Sequence, residues 1–270
     1  MFDLQQLPIP ISVPAHEEHR NYPLHVYTLG RFSVSRGIEP IRFARKAQHR
    51  PLELLKVLVA LGGREVATDQ LAMALWPESE GDEAYNAFEI TLHRLRKLVG
   101  VDKALMLSNG LLTLDNQLCW VDVWAFEQIT GQAEALLNSP QPGPDELAIL
   151  SSRVLMLYHG HFLGRETPEP WSISLRERLR SKFLRHLMDV ARYWEKIGRH
   201  EAAIQCYLKG LEVDDLAEIF YQRLMVCYQQ LGRRSEALAV YRRCRATLSL
   251  ILSISPSPAT EAIHRRLNQA

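Results

Sequence analysis

The chain has 270 residues, with 32 Lys and Arg against 31 Asp and Glu, a formal net charge of +1 and 47% hydrophobic residues. That length predicts two compact domains of roughly 100–200 residues each, and the apolar fraction is enough for real cores. No apolar run approaches the roughly 18–20 residues that span a bilayer, and the first residues lack the leading charge and long apolar core of a secretory signal. The four cysteines, Cys119, Cys206, Cys227 and Cys244, have no CxxC spacing. Three of them lie in helical patterns and are expected to pack as small hydrophobes, and a reducing cytoplasm fits.

Residues 1–22 hold prolines and short apolar runs and are expected to form an extended arm. Strands are expected over 24–44. Leu24–Leu29 alternates in part, Phe32-Ser33-Val34 follows a turn at Gly30, and Ile41-Arg42-Phe43 follows one at Gly37. These make a small antiparallel sheet. Arg42, Arg45, Lys46, His49 and Arg50 cluster ahead of a first helix, Pro51–Leu61, dense enough in apolar residues to be largely buried and stopped by Gly62-Gly63. Thr68 is placed to cap a short second helix, Asp69–Leu75. Trp76-Pro77 ends it, since proline lacks a backbone donor and restricts its predecessor.

A third helix is expected over 82–99. At about 100° per residue, Ala84, Phe88, Leu92, Leu95 and Val99 form an apolar stripe flanked by Thr91 and Leu98. Asn86, Ile90, His93, Arg94 and Lys97 lie opposite, with Arg96 on the shoulder. Asp82 is placed as N-cap and Gly100 as C-terminal stop. Alone, this pattern also suits an ordinary helix with a solvated charged face. Two helices precede it, and a hairpin follows: Leu105–Leu107 and Leu111–Leu114 about Ser108-Asn109-Gly110, where Asn-Gly favours the tight turn of twisted strands. Together they make a winged helix-turn-helix, in which the third helix enters the major groove of DNA.

In that setting Asn86, Ile90, Thr91 and His93 are the candidates for base edges, with Thr91 close to the core stripe. Arg42, Arg45, Lys46, Arg50, Arg94, Arg96 and Lys97 are candidates for phosphates, and Asn109 at the hairpin tip for the backbone or minor groove. Phosphate contact needs local positive charge, not a positive total. Residues 118–124 are expected to supply a last strand and the exit from the first domain.

The first half resembles the OmpR-type winged helix, in the detail of the Streptomyces antibiotic regulatory protein type. The matching residues are Leu29-Gly30-Arg31-Phe32, Leu54-Leu55 with Gly62-Gly63, Leu71 with Leu75-Trp76-Pro77, the run Leu92–Leu98, and Val121–Phe126. The likeness covers nearly all of 24–127.

In the second half, Asn138–Asp145 is polar and proline-rich between helical patterns. Ile197-Gly198-Arg199 recurs as Leu231-Gly232-Arg233, 34 residues on. At the same offset Ala203-Ile204 meets Ala237-Leu238, and Tyr207 meets Tyr241. That is the tetratricopeptide period. Trp194, Tyr207, Tyr228 and Tyr241 are then packing residues rather than an aromatic ligand box. This half resembles the bacterial transcriptional activator domain through Tyr158–Leu163, Pro170-Trp171, Arg176–Leu179, Gly210–Glu218, Tyr241–Cys244 and Ser255–Thr260. Asp215 stands where that family usually has proline.

Enzyme readings have little to stand on. There is no Gly-rich loop ending in Gly-Lys-Ser/Thr and no Gly-x-Ser-x-Gly elbow. His16-Glu17-Glu18-His19 is one residue short of a zinc-protease motif, and His159 and His161 have no third ligand at suitable spacing. No cofactor or metal is expected.

The expected architecture is mainly α. An arm (1–22) precedes a winged helix-turn-helix with a small antiparallel sheet and wing (23–127), then an all-α tetratricopeptide-like domain (128–270). The expected function is a cytoplasmic, DNA-binding transcription activator. The resemblance implies double-stranded promoter DNA as partner, side-by-side homodimers on direct repeats, and recruitment of RNA polymerase, with Glu78, Glu80 and Asp82 in the turn before the third helix as the candidate contact. The alternative is a protein-interaction scaffold whose winged helix no longer binds DNA, which the low net charge and Glu89 beside the binding face favour.

Overall fold

The computed structural model describes residues 21–42, 49–79, 81–101 and 103–269. These fall into two compact units. One holds the described residues up to 129 together with 153–179; the other holds 130–152 and 180–269. The boundary read from motif order, 127/128, divides the chain differently, because residues 153–179 pack with the first module.

The first unit begins with an antiparallel meander, β1 (Leu24–Tyr27), β2 (Ser33–Arg36) and β3 (Glu39–Pro40), with Val26 opposite Val34. The third strand comes earlier than the expected 41–43, because Gly37, at φ +54°, closes a tight turn directly after β2. Ile41 still donates its amide to Val34 O at 2.9 Å. Strand β7 (Cys119–Val121) joins the other side of β1 in parallel, so the sheet order is β3-β2-β1-β7 and the sheet is mixed.

Only three residues of the expected strand at 118–124 are extended. Asp122 opens α4 (Asp122–Leu137) instead. A carboxylate in the first turn suits the helix dipole, and Asp122 accepts the Val123 amide at 2.8 Å.

Three helices carry the core: α1 (His49–Ala60), α2 (Thr68–Leu75) and α3 (Gly81–Val99). Leu54, Leu55, Leu58, Leu71, Phe88 and Leu95 are fully buried, each worth about 1.5–3 kcal/mol of transfer free energy. Thr68 lies inside α2 rather than capping it. No side chain caps this helix; the Thr68 amide donates to Gly110 O at 2.9 Å. Helix α3 begins at Gly81, so Asp82 and Glu83 sit in its first turn and Asp82 is not the N-cap.

The wing is a second sheet, β4 (Val66–Ala67), β6 (Leu111–Leu114) and β5 (Leu105–Ser108), in that order. Ser108 pairs with Leu111 across a two-residue turn, with Asn109 at φ +51° and Gly110 at φ +74°. Positive φ at both positions is what the turn matching the twist of a hairpin requires, and Asn-Gly tolerates it.

Helices α5 (Pro144–Leu157) and α6 (Pro170–Lys196) flank the segment that ties 153–179 to this unit. Leu163 donates its amide to Thr28 O at 2.7 Å, and Gly30 donates to His161 O at 2.9 Å. At φ +90°, Gly30 brings its backbone so close that a Cβ would sit 2.8 Å from His159 O. Buried Lys56 is held between Glu53 at 2.8 Å and Glu166 at 2.6 Å, 4.8 Å from the Phe32 ring centroid. Asp122 accepts from the Thr28 amide (2.5 Å), the Thr28 hydroxyl (2.7 Å) and the Leu29 amide (2.7 Å). Burial pushes its carboxyl up to about 6 against the pull of these donors.

The second unit is helical throughout. It holds parts of α4, α5 and α6, then α7 (His200–Val213), α8 (Glu218–Gln230), α9 (Arg234–Leu252) and α10 (Pro258–Gln269). The repeated Gly198 and Gly232 make the turns between α6 and α7 and between α8 and α9. Ala203 and Ala237 are fully buried, and Trp194, Tyr207 and Tyr241 are packed inside. Glu195 accepts the Tyr207 hydroxyl at 2.5 Å and pairs with Arg223. Glu218 accepts the Ser257 amide at 2.7 Å and the hydroxyls of Ser257 and Thr260, fastening the start of α10. No helix among the described residues is long and apolar enough to cross a membrane.

Candidate nucleic-acid interface

Helix α3 divides as its periodicity predicts. Ala84, Phe88, Leu92, Leu95 and Val99 are buried, while Asn86, Ile90, His93, Arg94 and Lys97 are exposed. Ile90 is 54% exposed, an apolar side chain with water as its only cover on that side. Asn86, Ile90, His93 and Lys97 follow at i, i+4, i+7 and i+11. They form one row roughly 16 Å long at 1.5 Å per residue. Neither Arg94 nor Lys97 has an ion-pair partner among the described residues.

Thr91 does not belong to this row. It is 5% exposed and sits with the core residues, because its angular position lies on the stripe's edge, nearer Ala84 and Leu95 than Asn86. Arg96 is engaged within the fold: its Nε and Nη2 donate to Leu105 O at 3.1 and 2.8 Å, which fixes the wing strand β5 to α3. Arg50 donates to Leu75 O at 3.1 Å and lies over Trp76 at 6.0 Å, so it caps the end of α2. Both keep their full charge, since a carbonyl partner does not neutralise a guanidinium.

Arg42 is exposed just after the meander, and Asn109 is exposed at the wing tip beside the α2 N-terminus, through the Gly110–Thr68 bond. Arg45, Lys46 and Glu80 lie outside the described residues, as does the arm over 1–20 with its His16–His19 pattern. Glu78 and Asp82 are exposed on either side of the α2–α3 turn. Thus α3, the wing and the α2 N-terminus meet around one surface, while the basic run at 42–50 is described only at its ends.

Three features of this surface escape sequence reading. Arg36, on β2, donates to Val99 O at 3.1 Å and satisfies a carbonyl left open at the end of α3. Asp122 joins β1 to α4 across more than ninety residues. Tyr85 and Glu89, both exposed on the shoulder of α3, lie close enough that the Glu89 carboxylate, with a smaller contribution from Asp69, raises the Tyr85 phenol above its ordinary range. Only the last pair had a signal, its i, i+4 spacing.

Elsewhere, no three His, Cys, Asp or Glu side chains gather as a metal site among the described residues. Burial pushes the Cys119 and Cys244 thiols up to about 12, which suits packing rather than reactivity.

The comparisons with known proteins agree with this layout. A family model described as the bacterial transcriptional activator domain matches residues 121–268. The regulatory protein AfsR of Streptomyces griseus is 26% identical over 259 residues, covering 96% of this chain and 26% of that protein. The transcriptional regulatory protein EmbR of Mycobacterium bovis is 25% identical over 234 residues, covering 79% of this chain and 56% of that one. The chain therefore spans about a quarter to about half the length of these relatives. A solved structure of Mycobacterium tuberculosis EmbR, in complex with a low affinity phosphopeptide, superposes with a TM-score of 0.66 at 23% identity, over 92% of this chain and 65% of that chain. It shows the shared fold: a winged helix followed by tetratricopeptide-like helices.

Proposed function

This chain belongs to the bacterial transcriptional activator domain family, in its Streptomyces antibiotic regulatory protein type, and we propose that it is a transcription activator that binds promoter DNA through α3 and the wing. The observation that carries this reading is the exposed row Asn86, Ile90, His93 and Lys97, held on a helix whose opposite face is locked in a core. A rigid helix with unpaired cations and a few short polar and apolar side chains suits the major groove. Arg94 and Lys97 hold phosphates, while Asn86, Ile90 and His93 meet base edges. Arg96 and Arg50 add to the local field from their structural positions, and Asn109 brings the wing tip to the backbone.

Recruitment of RNA polymerase through the acidic turn at Glu78, Glu80 and Asp82 belongs to the same reading. Its support is that Glu78 and Asp82 are exposed on either side of the α2–α3 turn. The helical unit serves self-association or partner binding, since stacked helix pairs present a concave surface. Side-by-side binding to direct repeats is expected to follow from it.

Selection from a random duplex library tests the core of the proposal. The parent chain is expected to enrich a defined sequence, and Asn86→Ala to relax it at one position. Enrichment of the same sequence by both would remove Asn86 from the reading face.

A further inference from the structure

A groove opens in the helical unit between the end of α4, the α4–α5 linker and the last turns of α6. Its volume is about 580 Å³, within the roughly 300–1,000 Å³ of small-molecule sites. All of its walls belong to that one unit. Leu137, Pro140 and Ile197 line it with apolar surface. The Tyr193 hydroxyl donates to Pro142 O at 2.8 Å, which ties the linker to α6 and holds the groove in shape.

The 34-residue repeat shows what is unusual here. Asp189, Arg192 and Tyr193 stand at the positions that Arg223, Val226 and Cys227 take in the second repeat. There Arg223 pairs with Glu195, Cys227 is buried and Val226 packs against the core around Met225 and Tyr241. In the first repeat the same face lines the groove.

Four charged side chains stand around it, Glu134 and Asp189 with Arg192 and Lys196. None of the four forms an ion pair among the described residues. Asp189 is half-buried, and burial raises its carboxyl above the ordinary range against the pull of Arg192 and Arg185. Such a carboxylate gains when a cation replaces water beside it. Arg192 and Lys196, at i and i+4, share one side of α6 and offer an anion two charged donors. A phosphate here would face Glu134 and Asp189, and a polyamine would face Arg192 and Lys196. Only a ligand with both signs and an apolar body between them meets every wall.

We propose that this groove binds a short zwitterionic peptide, its ammonium on Asp189 and Glu134, its carboxylate on Arg192 and Lys196, and its aliphatic side chains against Leu137, Pro140 and Ile197. The site is separate from α3 and does not depend on DNA binding.

Isothermal titration of the full chain with trileucine tests it, beside N-acetyl-trileucine, which lacks the ammonium, and trileucine amide, which lacks the carboxylate. Trileucine is expected to bind at one site, and each blocked form about tenfold more weakly. Asp189→Asn is expected to weaken trileucine by a similar factor and to leave it no tighter than the N-acetyl form. Lys196→Gln is expected to narrow the gap between trileucine and its amide. Neither side chain makes a hydrogen bond or ion pair among the described residues, so both variants keep the fold. Equal affinity for the three forms would overturn the proposal, because the ends would not be read. Binding unaltered in both variants would overturn it too, as would no binding of trileucine into the millimolar range.

Discussion

The helical unit and the surroundings of α3 employ their arginines differently. In the helical unit Arg223 pairs with Glu195, Arg180 with Asp214 at 2.7 Å and Arg233 with Glu201 at 2.6 Å. In the winged-helix unit Arg36, Arg50 and Arg96 brace the fold through the backbone carbonyls of Val99, Leu75 and Leu105. A carboxylate partner cancels the charge; a carbonyl partner leaves it in place. Three structural arginines around α3 thus remain sources of positive potential, beside the unpaired Arg94 and Lys97. That is how a chain of net charge +1 can carry a local surface for a polyanion.

Acid should separate the units most strongly. Burial lowers His186 in the helical unit to about 4, and its Nε2 has no hydrogen-bond partner among the described residues. A folded pKa below the ordinary 6.5 means that protonation favours the unfolded chain. Stability from His186 is complete above pH 6.5 and is lost as pH falls toward 4, by up to about 3 kcal/mol. Asp122 runs the other way. Its folded pKa of about 6 lies above the ordinary 3.8, so the ionised form costs the fold, and the winged-helix unit gains stability as pH falls from 6 toward 4. Residue-resolved hydrogen exchange, corrected for intrinsic rates, is expected to show protection rising in β1 and falling in α6 across that range. Parallel changes in both would contradict the contrast.

Within the helical unit, Glu195→Ala should leave Arg223 and the Tyr207 hydroxyl without their shared acceptor and cost about 2–3 kcal/mol in urea unfolding. A loss below about 0.5 kcal/mol would mean that the pair is a surface ornament. In the winged-helix unit, Arg96→Lys keeps the charge but cannot make both bonds to Leu105 O. A loss of about 1 kcal/mol is expected, with the salt dependence of DNA binding unchanged. If the slope fell by about one instead, Arg96 would be a phosphate contact in its own right. The smallest expected effect is on the polymerase contact. Glu78→Lys should leave duplex affinity nearly unchanged and lower transcript yield in a reconstituted reaction, and equal yield would remove Glu78 from the contact.

What the sequence displayed and what it hid have a common cause. Periodicity exposes contacts made along one element, so the burial of Phe88, Leu92 and Leu95 and the exposure of Asn86, Ile90 and Lys97 were legible, as were the Asn109-Gly110 turn and the turns at Gly198 and Gly232. Thr91 was misplaced although its angle lies nearer Ala84 and Leu95 than Asn86, and it is buried with that stripe. The run at 118–124 looked extended by composition, yet the carboxylate of Asp122 starts a helix there.

The largest omission concerned two motifs that each resembled a family signature. Leu29–Phe32 and Tyr158–Leu163 hold one another, through Gly30, His161, Thr28 and Leu163. Pairing across 130 residues leaves no periodic trace, so the sequence did not show that the second motif, which lies within the matched activator-domain family at 121–268, packs with the winged helix.

The account stands on Arg94 and Lys97 facing phosphates. Duplex affinity measured by anisotropy from low to moderate salt, for the parent chain and for the Arg94→Ala/Lys97→Ala variant, tests this most directly. Each phosphate contact contributes about 0.9 to the slope of log K against log salt. The variant is expected to bind every sequence more weakly, with a slope shallower by nearly two. An unchanged slope would contradict the placement of DNA on this face of α3.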